Sequence, residues 1–267
     1  MITKKINIKL VAIIFLMIFF SMAGLSKSAK ASPSGWSYIS VVRHAGGGID
    51  DVAYTNSAEA LEGSILSGCG AVEMDFMFTS DGTLVCVHDW DDIGLKKQPK
   101  LKQFRKLKIY GKYTTMTAEE ALTRMVAAKC FLIIDTKEKD TVSVYKEIDR
   151  LLTQIEGGEA FKKKLVPQIY AHEEYDLLST VYPYKNWIFT TYKLKYKKNS
   201  EFKELAAFCK EKGIKTVTIP KERVTEKRVE YFTKKKIRVA THTVNGAEEW
   251  ERMTDMGVSI IYTDFGK

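Results

Sequence analysis

The chain has 267 residues, 45% hydrophobic and 28% charged, with 5 Pro, 17 Gly and 4 Cys, a composition that excludes disordered, collagen-like and disulfide-scaffold classes and a length that suits one large domain or two small ones. Its formal charge of +9 is concentrated at one end: residues 1–31 carry Lys4, Lys5, Lys9, Lys27 and Lys30 and no acid, and without them 37 bases face 33 acids, a charge of +4. A balance of that size makes no case for nucleic acid as a partner.

At the N-terminus, Lys4, Lys5 and Lys9 precede an apolar run from Leu10 to Leu25 that only Ser21 and Gly24 interrupt. Ala29-Lys30-Ala31 then supplies a small-x-small cleavage pattern before Ser32 and Pro33. The run falls short of the roughly 20 residues of a spanning helix. Residues 1–31 therefore read as a cleaved export signal rather than an uncleaved anchor. The expectation is a secreted or cell-envelope protein with one domain over residues 36–267.

Strand-like runs then alternate with helical periodicity. In chain order they are a strand over Tyr38–His44, a helix over Ala58–Ser67, and strands over Ala71–Phe78 and Leu84–His88. Thr117-Ala118-Glu119-Glu120 reads as a capping box opening a helix over Ala118–Ala128. A strand over Phe131–Thr136, a helix over Val142–Ile155 and strands over Leu165–Tyr170 and Trp187–Tyr192 follow. The last units are a helix over Phe202–Lys212, strands over Thr216–Ile219 and Arg238–Val244, a helix over Ala247–Met256 and a strand over Ser259–Thr263. Strand–helix alternation of this kind implies a parallel sheet. Closed on itself, the length fits a single-domain α/β (β/α)8 TIM barrel, typically about 250 residues; an open doubly wound sheet is the alternative. His44-Ala45-Gly46-Gly47-Gly48 is glycine-rich but lacks the Lys-Ser/Thr of a P-loop, and no Gly-x-Gly-x-x-Gly follows the first strand.

One linker breaks the rhythm. Ile93 to Lys112 holds eight bases and no acid, and reads either as a solvated basic face or as a loop that draws anionic substrates or phospholipid surfaces. Cys69, Cys86, Cys130 and Cys209 form no Cys-x-x-Cys pair, which excludes zinc-ribbon and thioredoxin-type sites. An oxidising destination would permit one disulfide, whose partners the sequence does not choose.

Two of the four histidines close strand runs, His44 and His88. In parallel α/β folds the carboxyl ends of strands are where sites are built, and a pair of imidazoles there suits acid–base chemistry near neutral pH. Between them lies Glu73-Met74-Asp75. Residues i and i+2 of a strand share a face, so both carboxylates enter one space, a costly arrangement unless a cation lies between them. Hard oxygen ligands suit Ca²⁺ or Mg²⁺. A third carboxylate, Asp135, ends the run Phe131-Leu132-Ile133-Ile134, with Lys137 two residues on. Such a set points to metal-assisted chemistry on a phosphate ester.

From His44 to the C-terminus the chain resembles the glycerophosphodiester phosphodiesterases, within the phosphatidylinositol-phospholipase-C-like barrels. His44-Ala45-Gly46 is similar to the family's opening His-Arg-Gly, and Tyr54-Thr55-Asn56-Ser57 to its Pro-Glu-Asn-Thr. Glu73-Met74-Asp75 resembles the Glu-x-Asp metal pair, and the stretch from Thr79 to His88-Asp89 the following strand and its His-Asp. Asp135-Thr136-Lys137 resembles the later Glu-x-Lys. Thr243-Val244-Asn245 and the run from Gly257 to Thr263-Asp264 resemble the closing segments. The departures are Ala45 for arginine, Thr55 for the acid, Asp135 for Glu and His242 for Trp.

With the leader pointing to export, the resemblance implies a metal-dependent phosphodiesterase. His44 and His88 would be its acid–base pair, Glu73, Asp75 and Asp135 its ligands for Ca²⁺ or Mg²⁺, and Lys137 its substrate-charge contact. The substrates implied are glycerophosphodiesters or teichoic-type glycerol-phosphate polymers, with peripheral membrane or cell-wall contact. The alternatives are a phospholipase acting on intact lipid and a non-catalytic phosphate-binding barrel.

Overall fold

Residues 35–266 are described by the structure, a computed structural model; the leader expected over residues 1–31 lies outside them. The strands are β1 (Val41–Arg43), β2 (Ala71–Phe78), β3 (Leu84–Cys86), β4 (Lys108–Ile109), β5 (Tyr113–Thr114), β6 (Met116–Thr117), β7 (Phe131–Thr136), β8 (Leu165–Ile169), β9 (Ile188–Thr190), β10 (Thr216–Thr218), β11 (Arg238–Thr241) and β12 (Ile260–Thr263). Eight of them, β1, β2 and β7 to β12, run parallel, and β12 pairs with β1 at Val41↔Ile261 so that the sheet closes. This is the (β/α)8 barrel; the open sheet does not occur.

Alternation along the strands sorts two cores. Val72, Met74 and Phe76 face outward and bury against the outer helices with Leu122, Met125, Tyr145 and Ile148. Ala71, Ile133, Val166, Ile188, Ala240 and Ile260 point inward and join Trp36, Ile39 and Phe131. Trp36 plugs the amino-terminal end of the barrel: its indole N–H donates to Thr216 Oγ1 at 3.0 Å, and its carbonyl accepts from Arg238 at 3.0 Å. The opposite, carboxyl end is left for the site.

The expected helices form within a few residues of their sequence bounds, and Ala118–Ala128 starts on its capping box, with Glu120 Oε2 accepting from Thr117 N at 2.8 Å. No helix among the described residues is long and apolar enough to cross a membrane.

Two expectations need correction. The run Leu84–His88 does not join the parallel wall: β3 folds back antiparallel on β2, with Phe76 opposite Cys86, because only Thr79–Thr83 connects them and a parallel crossover needs a dozen residues or more. The basic stretch is not a plain linker. Ile93, Phe104, Ile109 and Tyr113 bury with Val85, Val87 and Trp90, so the segment carries a short helix (Leu101–Phe104) and the β4–β5 hairpin.

Candidate active site

Strand register assembles the acid cluster. Ala71, Glu73 and Asp75 share the inward face of β2, and parallel pairing sets Asp75 level with Asp135 on β7. Glu73 and Asp75 are 2% and 5% exposed. One carboxylate oxygen from each of the three residues lies within 4.8 Å of the others. Each carboxylate is oriented. Ala45 N donates to Glu73 Oε2 at 2.8 Å. Asn56 clamps Asp75 from both sides, its Nδ2 donating to Oδ2 at 2.8 Å and its Oδ1 accepting from the backbone N at 3.0 Å. The Tyr170 hydroxyl reaches both oxygens of Asp135 at 2.7 Å.

The loops that deliver these donors are tightly turned. Ala45 and Asn56 hold φ of 48° and 47°, a region Asn tolerates better than Ala. Gly47 has φ of 103°, and a Cβ there would come 2.3 Å from Ser64 Oγ. Only glycine fits.

Burial, then the neighbouring Asp75 and Asp135, push the Glu73 carboxyl well above its usual range. Burial and Asp75 push Asp135 up to about 6. Among the described residues no Lys or Arg forms an ion pair with any of the three. Two or three negative charges packed this closely are unfavourable without a cation. The spacing and the all-oxygen donor set fit a hard divalent ion, for which Ca²⁺–O distances of about 2.3–2.6 Å would span such oxygens.

The two histidines face this cluster with different partners. His44 follows β1 directly, and its Nδ1 lies 2.9 Å from Asp264 Oδ1. Asn245 holds that carboxylate, donating to Oδ2 at 2.7 Å and accepting from the Asp264 backbone at 2.9 Å. A carboxylate accepts, so His44 carries its proton on Nδ1 and leaves Nε2 as a lone pair. Nε2 is 3.9 Å from Glu73 Oε2, beyond hydrogen-bond reach. His88 lies just past the end of antiparallel β3, not at a parallel strand end, and still faces the barrel mouth. Its Nδ1 is 3.4 Å from Lys137 Nζ, which also meets Asp89 at 3.4 Å. An ammonium donates only, which places the His88 proton on Nε2. The Tyr54 ring stands edge-on to both imidazoles, 4.4 Å and 5.3 Å between centroids.

All six residues singled out from the sequence line one pocket of about 480 Å³ at the carboxyl end of the barrel. Its other wall carries Gln168, Tyr192, Lys193, Lys221, His242 and Tyr262. Burial, His44 and Arg223 push His242 down to about 4, so that imidazole is neutral at neutral pH. None of the eight bases of the Ile93–Lys112 stretch lines the pocket; all eight are exposed, which favours the solvated-face reading of that stretch.

Sequence reasoning did not assign the orienting groups Asn56, Tyr170, Asn245 and Asp264. The signal was present for three of them, since Asn56, Asn245 and Asp264 stand in the motif-like segments, but their roles needed coordinates. Asp264→Ala should lower kcat roughly 10²-fold while leaving the folded far-ultraviolet spectrum intact, because it releases the His44 tautomer without removing the imidazole. Unchanged turnover would show that His44 needs no orienting carboxylate.

Residues 44–267 match the Glycerophosphoryl diester phosphodiesterase family. No curated protein matches the chain. Among solved structures, an Oleispira antarctica phosphodiesterase in complex with the product sn-glycerol-3-phosphate superposes with a TM-score of 0.68 at 16% identity, covering 86% of this chain and 95% of that one. A glycerophosphodiester phosphodiesterase from Parabacteroides distasonis gives 0.65 at 22% identity, with 85% and 92% covered. One from Thermotoga maritima gives 0.64 at 19%, with 85% and 94% covered. At these identities the likeness is one of fold.

Proposed function

The chain belongs to the glycerophosphoryl diester phosphodiesterase family and is a phosphoric diester hydrolase; from that premise we propose that it cleaves small glycerophosphodiesters to glycerol phosphate and an alcohol, outside the cytoplasm, with His44 as base and His88 as acid. The observation that carries this reading is the convergence of three buried carboxylates and two differently partnered imidazoles in one pocket. That Oleispira structure holding sn-glycerol-3-phosphate supports the choice of product.

Glu73, Asp75 and Asp135 would hold a divalent cation, Ca²⁺ or Mg²⁺. Bound there, such an ion supplies Lewis-acid stabilisation to a non-bridging phosphate oxygen. His44 Nε2 takes the proton of the nucleophile, either the substrate's neighbouring hydroxyl or water, and the resulting imidazolium is stabilised by Asp264. His88 Nε2 gives its proton to the leaving alkoxide. Lys137 lies against His88 and adds positive charge where the phosphoryl group becomes more negative.

Phosphorus NMR of products from a panel of glycerophosphodiesters, teichoic-type polymers and intact phospholipids tests the reading. The expected result is glycerol phosphate from the soluble diesters and no turnover of bilayer lipid. Release of a lipid product alone would replace it with the phospholipase alternative. Export is proposed on the leader: the mature chain should begin at Ser32 by intact mass, and full-length protein retained on membranes would favour an anchor.

A further inference from the structure

The pocket is also lined by a cation that the catalytic scheme does not use. Lys193 follows β9, and its Nζ sits 3.9 Å from the centre of the Tyr170 ring, whose hydroxyl is spent on Asp135. The loop that carries it is pinned from below. Arg223 donates to the carbonyls of Thr191, Leu194 (2.6 Å) and Tyr192 (3.5 Å), and Arg228 donates to the Arg223 carbonyl at 2.7 Å. The other two pocket lysines are engaged: Lys137 with Asp89 at 3.4 Å and Lys221 with Glu249 at 2.8 Å. Lys193 forms no such close ion pair among the described residues; its charge reaches Asp135 only at longer range, lowering that carboxyl slightly. An ammonium held on an aromatic face loses little further freedom on binding an anion.

We propose that Lys193 is a second contact for the substrate phosphate, closing on it from the β9 wall while Lys137 holds the β7 side. The proposal rests on the phosphodiesterase reading and adds the residue that sets affinity. Lys193→Met should weaken calorimetric binding of sn-glycerol-3-phosphate in the presence of Ca²⁺ about 10- to 10²-fold, the usual worth of a charge-assisted contact. KM for a glycerophosphodiester should rise by a similar factor, with kcat within a few-fold, and Lys193→Arg should recover most of the binding. Unchanged glycerol-phosphate binding overturns the proposal. So does a variant whose only change is a raised Ca²⁺ requirement, since that marks Lys193 as a counter-charge to Asp135. A wild-type protein that binds glycerol phosphate through Lys193 but turns over no diester would instead sink the catalytic reading alone.

A separate observation concerns sulfur. Cys69 and Cys130 stand just before β2 and β7, neighbouring strands paired at Ala71↔Phe131. Their sulfurs lie 3.8 Å apart, and Cys130 Sγ also meets the Cys69 carbonyl at 2.8 Å. Cys86 and Cys209 are buried elsewhere. We infer that Cys69 and Cys130 form a disulfide when a low-molecular-weight disulfide is present. The Cys130 thiolate attacks one sulfur of that reagent and releases one thiol. Cys69 then displaces the second, and the two protein thiol protons end on the two released reagent thiols. Hydrogen bonding from Cys69 lowers the Cys130 thiol and makes it the first attacker. Incubation of the native protein with glutathione disulfide should reduce titratable thiols in denaturant from four to two, and peptide mapping should find Cys69 joined to Cys130. The melting temperature should rise by about 5–15 °C for a loop of this length. Cys69→Ser should show no protein cross-link but a Cys130–glutathione mixed disulfide, leaving two titratable thiols. Four thiols in the treated wild type, or a different pair, overturns the inference.

Discussion

Replacing His44 or His88 with alanine should each lower kcat on a glycerophosphodiester by about 10²–10⁴, the usual contribution of a positioned general acid or base. The double variant should lose far less than the product of the two, because groups that act on one proton path are not additive. The partners of the two rings separate their tasks. His44 donates its Nδ1 proton to Asp264 and so presents a lone pair, whereas His88 faces the Lys137 ammonium and so presents a proton. A p-nitrophenyl ester has a leaving group that needs little protonation. On that ester His88→Ala should recover most of its lost rate, and His44→Ala should not. The reverse pattern would exchange the two roles. Near-wild-type rates for both variants on every diester would remove the pair from catalysis and favour the binding-barrel alternative.

The barrel was legible because its wall strands are short runs of buried residues at regular spacing, and its length leaves room for eight units. The face of Glu73 and Asp75 followed from alternation alone. What alternation could not supply was direction. Leu84–Val87 is buried on both faces, and that pattern reads the same in a parallel or an antiparallel strand. The five-residue link Thr79–Thr83, with Asp81-Gly82 inside it, was the available signal for a hairpin. The hidden core of the basic stretch was masked by charge: Ile93, Phe104 and Ile109 are separated by lysines that all point to solvent. The His44–Asp264 contact spans 220 residues and exists only because β12 closes against β1. Asn56 and Asn245 act by bridging side chain and backbone, a role that residue type alone does not announce. Chemistry carried by residue identity was readable; orientation, which depends on closure of the barrel, was not.

Removing the cation should abolish turnover and also turn the acid cluster into a pH-dependent weakness. Glu73 and Asp135 hold their protons more tightly in the fold than in the unfolded chain, through burial first and neighbouring carboxylates second. The folded state therefore binds more protons, so stability falls as pH rises. The fall begins near the unfolded carboxylate range at about 4 and passes through about 6 for Asp135, and Glu73, raised well above its usual range, adds to it. EDTA-treated protein should melt at a lower temperature at pH 8 than at pH 5. Glu73→Gln keeps an acceptor for Ala45 N but removes one charge, so its melting temperature should fall less over that interval while its activity is lost. Ca²⁺ at a hundredfold excess over Kd should stabilise the wild type at pH 8 by about 2.7 kcal/mol, or about 5–10 °C, and the variant much less. Differential scanning calorimetry at the two pH values, with and without Ca²⁺, reads all four quantities. Identical pH slopes for wild type and Glu73→Gln, together with full activity after exhaustive chelation, would show that the three carboxylates neither strain the fold nor hold a metal.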